Sequence, residues 1–472
     1  MVWGLRSGAT VVAVVALIGG YLAADAYDAV PGMLTTAEPW PAPAPFPDAP
    51  GAVDGPDVAP LLAGLSPEAP VPSEAEIASL VAQVAADPRL GSRVGVVVAD
   101  ALTGETLGET GQDQFMVPAS TQKVLTAVAA LSSPIADRTL PTRVVFDGDT
   151  LYLVGGGDMM LASGAGNPSA INGRAGLADL ADQVAGTLNL TGQTTVRLAL
   201  DETLFTGAVY APSIDPANIA AGYIAPVAAL GVNVGLLQAD YSDDGQRASD
   251  PGMAAAQAFV ERLAERGVTV EGNVVKTKAP STGAQELGMV ESAPVPEVVE
   301  FFLHNSDNTI TEVVGRLVAL EAGLPGTGDG ATQAVVAAVA RLGIDLTGAA
   351  LADCSGLGAG SRLTAAQLAS ILDLLVDPAF PALRSVAVGM PVAGLNGTLA
   401  NRFTGDNAGR GVVRAKTGSL PNVTSLAGTV MTGDDRQLVF VVMADQYTAN
   451  PLDARAAVDQ FVGRLAALST AA

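Results

Sequence analysis

The periods of apolar and polar positions divide the chain into segments of different character. Met1 to Ala26 opens with one basic residue, Arg6, continues as an apolar run from Ala9 to Ala24, and ends at Ala24-Asp25-Ala26. That is the layout of a targeting segment with an A-x-A cleavage site. The run is short for a full membrane span, which favours a cleaved signal peptide over a retained signal anchor. Either way the body of the protein is expected outside the cytoplasm, in the cell envelope or the medium. Residues 27–72 are rich in Pro, Ala, Gly and Asp, as in Pro39-Trp40-Pro41-Ala42-Pro43, and read as an extended linker. Order is expected from Ser73, an N-cap with Glu76 three positions on, leading a helix to about Ala86.

Ser92 to Asp100 (SRVGVVVAD) reads as a buried strand, Ala101 to Glu105 as a turn, and Leu107 to Glu109 as an antiparallel return. After Val117-Pro118 the apolar residues Val124, Leu125, Val128 and Leu131 recur at helical spacing, predicting a buried helix that begins near Ser120. Between 138 and 294 the character changes. Thr142–Val145 and Leu151–Val154 read as a hairpin closed by Asp147-Gly148. Gly155-Gly156-Gly157-Asp158 reads as a tight turn, since neither dinucleotide nor P-loop spacing follows it. A helix at 175–187, a strand near Thr195–Leu200, a helix at 251–266 and a strand at 268–276 continue a mixed pattern. This block is long enough to form an inserted domain, dividing the main domain into 73–137 and 295–472. A helix from Thr311 to Ala322 and strands Ser425–Met431 and Leu438–Ala444 complete the expected elements.

Composition narrows the chemistry. The chain of 472 residues is 49% hydrophobic and 15% charged, as folded proteins are. Its 48 acidic against 24 basic residues argue against a nucleic-acid partner and against docking on anionic lipid, leaving an N-terminal anchor as the one expected membrane contact. The single cysteine, Cys354, excludes an internal disulfide and zinc-cysteine sites; the single histidine, His304, excludes a zinc site built on several histidines. No G-x-S-x-G elbow accompanies His304. No cofactor is expected, because an exported enzyme lacks ready access to ATP or nicotinamide cofactors. Serine with lysine, or paired carboxylates, remain as hydrolytic chemistries.

Lysine occurs only at Lys123, Lys276, Lys278 and Lys416. A buried lysine can lose its proton and act as a base, whereas arginine cannot. Ser120 and Lys123 lie three apart on the predicted helix, so their side chains share a face with β-carbons roughly 5–6 Å apart. That suits a nucleophile with its own base. S-x-x-K is also common on surface helix turns. A second stretch, His304-Asn305-Ser306-Asp307-Asn308, precedes a helix and reads equally as an N-cap. A third, Arg414-Ala415-Lys416-Thr417-Gly418-Ser419, leads into apolar strands and reads equally as a strand end. Lys276-Thr277-Lys278 lacks the following glycine.

Together, in this order, the three stretches form the S-x-x-K, S-D-N and K-T-G set of β-lactamases and penicillin-binding proteins. The sequence resembles the D-alanyl-D-alanine carboxypeptidase/endopeptidase family, the class C low-molecular-mass penicillin-binding proteins similar to penicillin-binding protein 4. Leu153 to Asp158 resembles the family's LVGGGDP, with Met159 in place of proline. Asp353 to Leu357 resembles DGSGL, with Cys354 at the usual glycine, and Lys416 to Leu420 matches KTGSL. The long insertion between the first two motifs is a further family trait.

The resemblance implies an α/β (α+β) fold of the serine β-lactamase/DD-peptidase type, an antiparallel sheet flanked by helices. It also implies a substrate, peptidoglycan stem peptides ending in D-Ala-D-Ala, and covalent inhibition by β-lactams. Ser120 would be the nucleophile and Lys123 its base, made neutral by burial and by repulsion from Lys416. Ser306 would relay a proton to the leaving amine, biased by Lys416, while Asn308 orients Lys123 and the substrate amide. Backbone N–H groups of Ser120 and Ser419 would hold the oxyanion, and the hydroxyls of Thr417 and Ser419, flanking Gly418, the terminal carboxylate. A β-lactamase or esterase on the same fold, or an idle wall-peptide-binding protein, is the alternative.

Overall fold

The structure is a computed structural model that describes residues 19–27, 29–30 and 66–469. Contacts divide the chain into two units, Met1–Ala63 and Gly64–Ala472. In the first, residues 19–26 are helical. Among the described residues no helix is long and apolar enough to cross a membrane. Most of the expected targeting segment and linker lies outside the described residues. The last residues read as linker are described: Arg436 Nη1 donates to the carbonyls of Pro67 and Ala69, and its Nε donates to Asp100.

The second unit begins with helix α1 (Glu74–Ala85), capped by Ser73, whose hydroxyl oxygen accepts the Glu76 N–H. The Ser73 hydroxyl also bonds the Glu76 carboxylate at 2.7 Å. Strands β1 (Val94–Asp100) and β2 (Thr106–Thr110) follow, then helix α2 (Lys123–Leu131). The chain next builds β3 (Pro141–Asp147), β4 (Thr150–Gly155), β5 (Asp158–Leu161), helix α3 (Leu177–Thr191), β6 (Thr195–Asp201), β7 (Leu230–Val232), helix α4 (Pro251–Ala264), β8 (Thr269–Val270), β9 (Val275–Lys276) and β10 (Gln285–Glu291). Helices α5 (Val295–Asn305), α6 (Asn308–Glu321), α7 (Gly328–Arg341) and α8 (Ala365–Val376) come next. Strands β11 (Val413–Leu420), β12 (Val423–Met431) and β13 (Gln437–Asp445) precede the final helix α9 (Pro451–Ala466).

Five strands in the order β11-β12-β13-β1-β2 make an antiparallel sheet. Both faces of β1 are buried, which is why SRVGVVVAD shows an unbroken apolar run instead of alternation. Val94, Val96 and Val98 join Ile77 and Val81 of α1 and Val458, Phe461 and Leu465 of α9 on one side. Val97 and Ala99 face the other core, with Val124, Leu125 and Val128 of α2 and Leu368 and Leu372 of α8. Helix, sheet, helix is therefore the layering, and α2 is clamped in the larger core with all nine residues buried.

A second sheet runs β10-β3-β4-β6-β8, antiparallel as far as β4 and parallel from β4 onward, with β9 also on β6. Its hairpin closes one residue later than the sequence suggested. Asp147 pairs Thr150, so Gly148-Asp149 form the turn, with Gly148 at φ 64°. The strand expected over 268–276 is instead two short pieces, β8 and β9, separated at Gly272, whose φ of 77° cannot continue a strand. Helix α3 starts after Gly176 and runs on to a left-handed Gly192, later at both ends than predicted.

Candidate active site

The nucleophile turn is built under strain. Ala119 sits at φ 49°, Ser120 follows in a 3-10 turn (Ala119–Gln122), and the α-helix begins at Lys123. Two glycines let other segments close on this turn. A Cβ on Gly356 would collide with the Ala119 carbonyl, and one on Gly418 with Ser425 Oγ and the Pro118 carbonyl. The Ser425 hydroxyl donates to that same Pro118 carbonyl at 2.7 Å, pinning the turn to β12.

Lys123 is fully buried. Its Nζ lies 2.9 Å from Ser120 Oγ, 2.7 Å from Asn308 Oδ1 and 2.8 Å from the Ser355 carbonyl. Burial lowers it from the ordinary lysine value to about 8, against the opposing pull of Asp353, Asp307 and Glu312. The like-charge repulsion expected between Lys123 and Lys416 is present. Lys416, equally buried, is held well below the ordinary value first by burial and then by the charge of Lys123.

Lys416 Nζ donates to Ser306 Oγ at 2.8 Å and to the Thr417 carbonyl at 2.9 Å. Ser306 ends α5 in the left-handed region, at φ 58°. Asp307 then caps α6 by accepting the Ile310 N–H at 2.7 Å, and its other oxygen accepts the Tyr241 hydroxyl at 2.8 Å. The expected N-cap is thus Asp307, which leaves Ser306 and Asn308 to face the cleft. Asn308 Nδ2 donates to the Tyr223 carbonyl at 2.8 Å, so in this state its amide is engaged by the protein. Thr417 Oγ1 lies 2.9 Å from Thr398 Oγ1. Ser419 is exposed near the end of β11, the outer strand of its sheet.

A cleft of about 410 Å³ opens over this site, with the two lysines buried behind its lining. Ser120, Ser306, Asn308 and Ser419 form its polar wall, Leu357, Leu420 and Tyr447 contribute apolar surface, and Tyr223 and Asp243 reach in from the 138–294 block. Lys276 lies elsewhere, paired with Glu202 and Asp250. Sequence reasoning missed Tyr223, Tyr241, Glu312 and Thr398, which carry no local motif. Among the described residues no His, Cys, Asp and Glu cluster is arranged to hold a metal.

Cys354 is buried between the Ser120 helix and α6. The position accepts a side chain because Gly315 on α6 has none.

A serine whose hydroxyl is served by a buried lysine, at the start of a helix packed on an antiparallel sheet, marks the serine hydrolases of the β-lactamase/DD-peptidase type. The model of the D-Ala-D-Ala carboxypeptidase 3 (S13) family matches residues 77–248 and 241–467, and the chain belongs to that family as a serine-type carboxypeptidase. Carboxypeptidase DacB of Mycolicibacterium smegmatis is 35% identical over 469 residues, covering 96% of this chain and 95% of that protein. Carboxypeptidase Rv3627c of Mycobacterium tuberculosis is 35% identical over 390 residues, covering 81% and 82%. The crystal structure of penicillin binding protein 4 (dacB) from Haemophilus influenzae shares the fold at a TM-score of 0.68 and 21% identity, covering 82% of this chain and 98% of that one. The same protein complexed with a β-lactam gives a TM-score of 0.60 at 22% identity, with the same coverage.

Proposed function

We propose that this chain cleaves the terminal D-Ala-D-Ala bond of peptidoglycan stem peptides through a Ser120 acyl-enzyme. The observation that carries the reading is the Lys123 amine, buried, lowered to about 8 and 2.9 Å from Ser120 Oγ. Ser120 Oγ attacks the carbonyl of the penultimate D-alanine as Lys123 takes its proton. The oxyanion is held by the N–H groups of Ser120 and Ser419, typically worth roughly 10²–10³ in rate per donor. The C–N bond then breaks, and the departing amine receives, relayed through the Ser306 hydroxyl 2.8 Å from Lys416 Nζ, the proton that Lys123 took, which leaves Ser306 a hydroxyl and Lys123 neutral. Water attacks the ester as the neutral Lys123 accepts its proton, and Lys123 returns that proton to Ser120 Oγ as the ester C–O bond breaks and the shortened peptide leaves. Thr417 and Ser419, on either side of Gly418, hold the terminal carboxylate, with Thr398 orienting the Thr417 hydroxyl.

A β-lactam enters by the same attack. Its amine stays tethered after ring opening, so the acyl-enzyme persists. The substrate is a wall polymer, which places the enzyme in the cell envelope, either released after signal cleavage or held by its N-terminal segment. The 138–294 block is an inserted domain that closes one side of the cleft.

The test is intact-protein mass after exposure to penicillin, in wild type and Ser120→Ala, beside release of D-alanine from a D-Ala-D-Ala peptide. One lasting adduct in the wild type alone, together with D-alanine release, is the expected result. Rapid β-lactam turnover without an adduct would make it a β-lactamase, and neither reaction would remove the reading.

A further inference from the structure

The loop behind the nucleophile helix has a regular construction. Three consecutive peptide units, from Asp353 to Gly356, each turn the carbonyl toward the Ser120–Thr126 segment and the N–H toward a buried carboxylate. In the first, the Asp353 carbonyl accepts Gln122 Nε2 at 2.5 Å, and the Cys354 N–H donates to Glu312 Oε1 at 2.9 Å. In the second, the Cys354 carbonyl accepts the Thr126 hydroxyl at 2.8 Å, and the Ser355 N–H donates to Glu312 Oε1 at 2.9 Å and Asp353 Oδ1 at 3.0 Å. In the third, the Ser355 carbonyl accepts Lys123 Nζ at 2.8 Å, and the Gly356 N–H donates to Asp353 Oδ1 at 2.6 Å. A peptide whose N–H meets a carboxylate is polarised, and its carbonyl becomes a stronger acceptor.

We propose that Glu312, one turn along α6 from Asn308, is a positioning residue for the serine–lysine pair. Its carboxylate clasps the back of the 353–355 loop so that the loop's carbonyls hold Gln122, Lys123 and Thr126, and its charge governs how readily Lys123 gives up a proton. The inference deepens the Ser120–Lys123 reading and rests on it. Glu312 is buried, as loop packing alone would not require of a carboxylate. Burial, and then Asp353, raise it to about 7, so its charge appears just below the range in which Lys123 titrates. The charged groups bearing on Lys123 are Asp353 in the loop, Asp307 ahead of α6, Glu312 on α6 and Lys416 on β11. Arg316, one turn beyond Glu312 and itself lowered chiefly by burial, faces Glu312 from the far side.

The scarcity of lysine makes a direct test practicable. Lysine labelled with ¹³C at Cε gives four signals, from Lys123, Lys276, Lys278 and Lys416. Replacing Glu312 by Gln keeps an oxygen for the two N–H groups and removes the charge. The Lys123 midpoint should then fall by about one pH unit, with about tenfold more neutral amine on the acid side. The acid limb of penicillin acylation should move with it. A Lys123 midpoint in E312Q equal to that of the wild type overturns the proposal. Should E312Q fail to fold, the wild type decides. The Lys123 signal must show a second, smaller inflection as Glu312 titrates, and a single inflection overturns the proposal. The NMR midpoint needs no turnover, so failure of the Ser120 acyl-enzyme reading would appear separately, as a wild type that never acylates.

Discussion

Cys354 occupies the space that a side chain at residue 315 would fill: a β-carbon on Gly315 would run into its sulfur. The pair joins α6 to the loop that holds Lys123, so a helix glycine and a loop cysteine together set how closely those two elements approach.

Gly315→Ala should therefore destabilise the protein by about 1–3 kcal/mol, the usual range for overpacking a dense core. Gly315→Ala with Cys354→Gly should recover most of that loss, because the collision is removed. Urea unfolding of the two single variants and the double variant measures the coupling; simple additivity would mean the two residues do not share the space.

Acylation should depend on pH through Lys123. The neutral amine is the base, and with a value of about 8 its population grows as pH rises and levels off above that. Two units lower, at pH 6, the rate should be about a hundredfold below the plateau. Stopped-flow acylation by a chromogenic β-lactam gives the profile. A rate that is flat from pH 6 to 9 would show that Lys123 is not the base.

Asp158 offers a separate pH effect on stability. It is fully buried, one oxygen accepts the Met160 N–H at 2.8 Å, and burial raises it to about 7. The folded state holds this proton more tightly than the unfolded chain. Its contribution is therefore complete below about pH 4 and is lost as the pH rises through about 7. Asp158→Asn should flatten the stability curve across that window, as read by thermal unfolding between pH 4 and 8.

Thr398 should show itself in substrate binding. Thr398→Val removes the hydroxyl 2.9 Å from Thr417 Oγ1. If Thr417 grips the substrate carboxylate, KM should rise several-fold with kcat little changed, the pattern of lost uniform binding. Steady-state kinetics on a D-Ala-D-Ala peptide separates the two constants.

Tyr241 ties the 138–294 block to the catalytic turn through Asp307. Tyr241→Phe deletes a hydrogen bond to a charged acceptor, expected to lower stability by about 1–3 kcal/mol. Differential scanning calorimetry would register this as a lower Tm, and an unchanged Tm would show that the contact contributes nothing.

The sequence carried the catalytic helix and the sheet strands clearly, the helix through apolar residues at helical spacing and the strands, buried on both faces, through unbroken apolar runs. Its three motifs lie on separate segments, and the fold brings Ser120, Lys123, Ser306, Asn308 and Lys416 to one cleft. Legibility fell where a single glycine decides geometry, as at Gly148 and Gly272. It fell also where a partner is remote in sequence. Glu312 looks like any helix glutamate until the 353–355 loop folds over it, and Tyr223 acts through a carbonyl, which no side-chain pattern reveals. Burial of Lys123, the main cause of its shift, was legible in the apolar helix around it, whereas the carboxylates that oppose the shift come from remote segments.

The pairing of β1 with β13 has a consequence for how this protein is made. Val94, near the start of the second unit, finds its partner Ala444 about 350 residues later, and β11, which bears Lys416, reaches β1 through β12 and β13. A growing chain therefore cannot close the catalytic sheet until β13 has emerged. Hydrolytic power stays latent in any copy that stops short of β13, and the emergence of β11 to β13 acts as the arming event.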